Sequence, residues 1–204
     1  MSIAASAASA ASVTQRTTAG TKAPITLAMF DRMIAAGVFA PPEDHPLELI
    51  EGELMMMSPI GDQHADAVDW LARWSQLAIP AEDLLVRIQN PLELLSSTSV
   101  PQPDIAWVTF RRYVDRRPRP EDVSLVIEVA DTSLEFDTGT KASLYAAAGI
   151  ADYWVVDLAS RAVIVFRDPR GGRYETRSTF RDHATISPPA LPTARLLPAD
   201  LFPA

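Results

Sequence analysis

Glu128 stands inside the run Leu125-Val126-Ile127-Glu128-Val129-Ala130, whose β-branched residues predict a central strand with Val126, Glu128 and Ala130 on one face. A carboxylate on such a face needs a cation, hydrogen-bond donors or a proton. It therefore marks a cleft. Asp104 follows Pro103 at the mouth of the preceding strand run, Ile105-Ala106-Trp107-Val108. Two carboxylates on neighbouring strands can converge on one Mg²⁺ or Mn²⁺, because such hard ions keep several waters while bound by one or two carboxylates. Lys141 is the third member. A helix is expected over residues 138–148, and Lys141 shares the face of Leu144, Tyr145 and Ala148 that should pack on the sheet. In the first turn it also opposes the helix dipole. It needs an anion, and Glu128 or a phosphate would supply one.

Other residues carry weaker signals. Asp137 is expected to cap the helix of Lys141. His64 falls in the first turn of another helix, three residues before Ala67 and seven before Leu71, and reads as an inward-pointing core or capping histidine or as a phosphate contact. Glu48, Glu51 and Glu53 could reach a metal, although strand alternation and turn chemistry account for them; Glu51 is kept as an accessory candidate. Met55, Met56 and Met57 read as packing residues.

The elements that must position these groups follow from patterning. Thr26–Ala36 predicts a helix capped by Thr26 and closed by Gly37. Residues 47–57 predict a hairpin turning near Glu51 and Gly52. From His64 to Ala78, residues Ala67, Trp70, Leu71, Trp74, Leu77 and Ala78 recur at helical spacing, with Asp62 as the expected cap. Strand runs follow at 84–89, 104–108 and 124–130, then the helix at 138–148 stopped by Gly149, then strands at 153–157 and 162–167. That order predicts a mixed β-sheet with helices on its faces, an α/β (mixed α+β) architecture. Residues 1–22, rich in Ala, Ser and Thr, read as a disordered tail, leaving one domain over 23–204 with a Pro-rich end expected to wrap the surface.

Composition bounds the chemistry. The 204 residues include no cysteine, which excludes thiolate zinc sites and cysteine nucleophiles, and the net charge is −8. An acidic body argues against nonspecific coating of nucleic acid but is compatible with a cation site. Arginines 111, 112, 116, 117 and 119 and those from Arg161 to Arg181 read as solvated loops. Of 18 basic residues only Lys22 and Lys141 are lysine, and Lys22 lies in the expected tail. No apolar run is long enough to span a membrane, so a cytoplasmic location is expected. No G-x-S-x-G elbow, P-loop or H-E-x-x-H pattern supports another hydrolase class.

ELIEGELMMMSP, His64, Pro103-Asp104-Ile105, LVIEVADTSLEFDTGTKASLYAAAGIADYWVVD and ISPPALP together resemble the Uma-type putative restriction endonuclease family of the PD-(D/E)xK nuclease superfamily. The resemblance runs over about residues 26–202 and is most specific from Glu128 to Asp157. It implies a restriction-endonuclease-like fold, a homodimer, and a Mg²⁺- or Mn²⁺-dependent endonuclease acting on nucleic acid, DNA by expectation. Asp104 then matches the aspartate of the PD element and Glu128 the acid of (D/E)xK, and the two, with the carbonyl of Val129, would hold the ion. Two positions after Glu128 stands Ala130, not lysine. Lys141 matches relatives in which the following helix supplies that lysine. A noncatalytic nucleic-acid-binding or assembly protein on the same fold is the alternative. A Lys141→Ala change is expected to abolish cleavage with little loss of fold.

Overall fold

The computed structural model describes residues 23–39, 47–80 and 82–202. The segment 1–22 read as a tail lies outside the described residues. Helix α1 (Leu27–Ala35) starts at Thr26, whose Oγ1 accepts the Met29 N–H at 3.2 Å. Strands β1 (Leu47–Ile50) and β2 (Glu53–Met56) form the expected hairpin, turning through Glu51 and Gly52 at φ 51° and 79°. Gly52 is sterically required, since a Cβ would sit 2.8 Å from the Pro24 side chain.

The main sheet has six strands in the order β3 (Leu84–Ile88), β4 (Ile105–Thr109), β5 (Val123–Ala130), β6 (Asp152–Asp157), β7 (Ala162–Arg170) and β8 (Arg173–Arg181). It is mixed, because β5 and β6 pair in parallel while the other neighbours are antiparallel. A parallel pair cannot be closed by a tight turn, so the chain crosses over through a helical segment. That segment is one helical turn α3 (Leu134–Phe136), a π turn (Asp137–Lys141) and α4 (Ala142–Ala147). The crossover brings Lys141 back over the strand that carries Glu128.

Alternation sorts the sheet into two faces. Ile105, Trp107, Ile127 and Val129 pack under α2 (Asp62–Ala78), whereas Ala106, Val126, Tyr153 and Val155 pack under α4. Trp107 donates to Ser75 Oγ at 2.8 Å, and Trp74 lies against both Trp107 and Trp154.

Several expectations needed correction. Asp62 is the first helical residue of α2 rather than its cap; Gly61 takes the cap position without a side-chain bond. Trp70 and Leu77 are 49% and 74% exposed, because the inward stripe of α2 runs through Ala67, Leu71 and Ser75 and leaves them on its flank. The crossover helix starts at Ser133, so Asp137 follows α3 inside it and is not the N-cap of the helix that carries Lys141. The arginine-rich stretch to Arg181 forms β7 and β8, joined by Gly171 and Gly172 at φ 57° and 77°, a hairpin turn that glycine favours. The Pro-rich end does more than wrap the surface: Ile186, Leu196, Leu201 and Phe202 are buried in the core beneath α2.

Candidate active site

A pocket of about 530 Å³ opens where the ends of β4 and β5 meet the hairpin, the start of α2 and the crossover helix. Asp104, Glu128, Val129, Lys141 and His64 all line it. Ile105 pairs with Ile127, so Asp104 and Glu128 are neighbours across the β4–β5 ladder. Asp104 Oδ2 accepts the Val129 N–H at 2.8 Å and lies 3.2 Å from His64 Nε2, while its Oδ1 accepts from Gln89 Nε2 at 3.2 Å. Strand geometry therefore locks the aspartate before any ligand arrives.

Glu128 is 3% exposed and Lys141 1%. Glu128 Oε1 accepts from Lys141 Nζ at 3.0 Å and from the Tyr145 hydroxyl at 2.9 Å. Both donors use Oε1, and among the described residues no donor reaches Oε2. Lys141 Nζ also donates to Glu48 Oε1 at 3.2 Å and lies 3.9 Å from Asp137 Oδ1. The π turn matters here, because its extra residue per turn rotates Lys141 and Asp137 together toward the sheet.

Electrostatics at this floor are unbalanced. Glu48, Asp104 and Asp137 surround Glu128, with Lys141 as the one lysine among them. Burial, reinforced by the three acids, drives the Glu128 carboxyl well above its ordinary range despite Lys141. Burial raises Asp137 in the same sense, with Lys141 and the Ser133 hydroxyl opposing it. Burial works against the Lys141 ammonium, yet Glu128, Glu48 and Asp137 outweigh it and hold the amine above its ordinary value. For His64, burial is again the largest influence and opposes the charge; the Asp104 bond and the charges of Asp104, Asp131 and Asp137 prevail, and its pKa is raised.

Glu51 is not brought to this place. It sits exposed on the hairpin turn, where its N–H bonds to Ser99 Oγ at 2.8 Å. The hairpin contributes Glu48 instead, fully buried, with Oε1 also accepting the Gln102 N–H at 2.6 Å and Oε2 unpartnered. Its signal in the sequence equals that of Glu128: a carboxylate interrupting the apolar run Leu47-Glu48-Leu49-Ile50. Tyr145, one helical turn after Lys141 on the face already singled out, was legible in the same way. Gln89 carried no such signal. The arginines of 116–119 are not loose loops either: Arg116 pairs with both oxygens of Asp122, Arg117 with Asp31 and Glu93, and Arg119 with Glu93.

Comparisons agree with this architecture. The crystal structure of a putative nuclease belonging to DUF820 from Anabaena variabilis ATCC 29413 matches with a TM-score of 0.68 at 18% identity, covering 88% of this chain and 98% of that one. At that identity the likeness establishes the fold. No curated protein matches the chain. The model of the Uma2 family, described as "Putative restriction endonuclease", matches residues 28–199. With most of its length inside that match, the chain belongs to the Uma2 family.

Proposed function

We propose that the protein is a metal-dependent endonuclease that hydrolyses phosphodiester bonds of nucleic acid, with DNA as substrate. The observation that carries this reading is the excess of carboxylates around one lysine at the floor of an accessible pocket. Such a cluster is stable only with added positive charge, either protons or a cation. Asp104 and Glu128, with the Val129 carbonyl, form a donor set that fits Mg²⁺ or Mn²⁺: all hard oxygen, with Glu128 Oε2 free of hydrogen bonds. Among the described residues no three His, Asp or Glu side chains form a metal cage. Two carboxylates suit an ion that keeps its own waters. When bound, the ion supplies Lewis acidity toward a phosphoryl oxygen and lowers the pKa of water.

The chain's own residues do the rest. Lys141 keeps its proton throughout the neutral range, so it is no general base. It offers an ammonium fixed by Glu48 and Glu128, which orients the attacking water and offsets charge as the phosphorus centre crowds. Tyr145 anchors Glu128 from behind through its hydroxyl. His64, held by Asp104 and raised in pKa, offers a phosphate contact that gains charge as pH falls.

Incubating supercoiled plasmid with Mg²⁺, Mn²⁺ or EDTA tests the proposal. Cutting that needs the metal and is lost in Glu128→Gln supports it. A noncatalytic nucleic-acid-binding protein is favoured by one observation, Ala130 in place of the usual lysine. Gel-shift binding without cutting by either metal would select that reading. Homodimerisation, expected from the family resemblance, is checked separately by sedimentation at micromolar concentration.

A further inference from the structure

We infer that Arg87 and Arg111, held on the Tyr113 ring at the β3 edge, form a phosphate-binding track for the nucleic-acid strand that enters the pocket. This rests on the nuclease reading and adds a second contact region to it. Three guanidinium groups lie over Tyr113, those of Arg111 at 5.2 Å, Arg87 at 5.7 Å and Arg116 at 5.8 Å from the ring centroid. The phenol is itself fixed by donating to the Thr109 carbonyl at 3.0 Å. Asp122 neutralises Arg116 through both its oxygens. Among the described residues no carboxylate pairs with Arg87 or Arg111, and Arg87 Nε is buried with no hydrogen-bond partner. Asp115, exposed in the same loop, makes no ion pair with either. Asp122 lies near enough to feel the charge of Arg111, but both its oxygens are held by Arg116. In a chain of net charge −8, two neighbouring arginines without an ion pair among the described residues are an unusual concentration of positive charge.

The register fixes where this charge stands. Gln89 donates its N–H to the Asp104 carbonyl, so Gln89, Asp104 and Glu128 form one row across the sheet. Arg87 pairs with Ala106, which pairs with Val126, forming the next row on the face that carries Glu128. Two strand spacings and two residues separate Arg87 from Glu128, about 12 Å between backbones. At about 3.4 Å of helix axis per phosphate on one strand, that is a span of a few nucleotides. Guanidinium forks suit phosphate oxygens, and stacking on Tyr113 pre-organises them. The track therefore holds the backbone beside the cleaved bond and reads no base.

Fluorescence anisotropy of labelled duplex and single-stranded DNA, in EDTA so that nothing is cut, tests the inference across a salt series. Arg87→Gln/Arg111→Gln should weaken binding at least about tenfold and lower the slope of log K against log salt by about 2, and Arg111→Gln alone by about 1. Arg111 is exposed, so the single variant leaves no folding ambiguity. Wild-type binding with unchanged slopes in both variants would overturn the track and leave the nuclease reading standing. Failure of the wild type to bind any nucleic acid, either in EDTA or with Ca²⁺ in place of EDTA, would overturn both.

Discussion

Two clusters of charge in this molecule, one partly solvated and one buried, are built on opposite principles. In the loop between β4 and β5, Arg116, Arg117 and Arg119 are matched by Asp122, Asp31 and Glu93, with forked and short contacts. At the pocket, Glu48, Glu128 and Asp137 share Lys141, and Asp104 stands beside Glu128. The matched cluster fastens a loop at a partly solvated surface. The unmatched cluster carries more acid than base, and burial makes that excess costly. On the proposed reading, charge balance, rather than the number of ion pairs, is what separates a fastening from a site.

Removing the shared cation should give the largest effect. Lys141→Met should reduce metal-dependent cleavage by about 10²–10³-fold or more. Since Lys141 is 1% exposed and holds three acids, it should also cost about 3–5 kcal/mol in urea unfolding. The structure thus opposes the expectation that Lys141→Ala spares the fold. Lys141→Met/Glu128→Gln, which removes a charge of each sign, should recover much of the stability and none of the cleavage. If the double variant were no more stable than the single one, the charge-balance account would fail.

The second effect is a dependence on pH and metal whose sign differs between the clusters. Glu128, raised by burial, binds its proton more tightly folded than unfolded. Its favourable share is fully present below pH ~4.5 and is lost as pH rises from there through the folded pKa. Metal-free protein should therefore lose thermal stability from pH 5 upward. Millimolar Mg²⁺ should restore it, by linkage to binding in the folded state, and should restore nothing in Glu128→Gln. Asp122 behaves oppositely. The Arg116 hydrogen bond is the main cause that holds its carboxyl below the usual range, against burial and with help from the Arg119 N–H. Its contribution is present above pH ~3.8 and lost as pH falls through the folded pKa. Asp122→Asn should flatten only this acid limb, and a melt series from pH 2 to 8 would separate the two.

What was legible in the sequence follows the same division. Glu128 and Lys141 could be found because each violates its local pattern, a carboxylate in a β-branched strand and a cation on an apolar helix face. Glu48 broke the pattern of its strand just as clearly, but a neighbouring turn offered an easier explanation for the acids around it. The π turn was not legible. It differs from an α-helix by one residue per turn, and the spacing of Lys141, Leu144 and Tyr145 satisfies both. Strand β8 was missed because its polar alternation, with arginine at 173, 177 and 181, looks like solvated loop until the Gly171-Gly172 turn is taken as a hairpin. The matched arginines gave no sign either. Their partners lie far off in sequence, Asp31 being 86 residues from Arg117, and only the fold brings them together.

The smallest effect tests the other side of the comparison. Glu93 accepts from Arg119 at 2.9 Å and lies 3.6 Å from Arg117, and its side chain is 12% exposed. If this cluster is a fastening, Glu93→Gln should lower stability by no more than about 1 kcal/mol, since the guanidinium groups remain partly solvated and Arg117 keeps Asp31. Cleavage, at saturating Mg²⁺ and substrate, should stay within about twofold of wild type. A tenfold loss of rate with an unchanged melting curve would mean that matched charge also serves catalysis here. Balance would then no longer distinguish the two regions, and the case for the pocket would rest on its geometry alone.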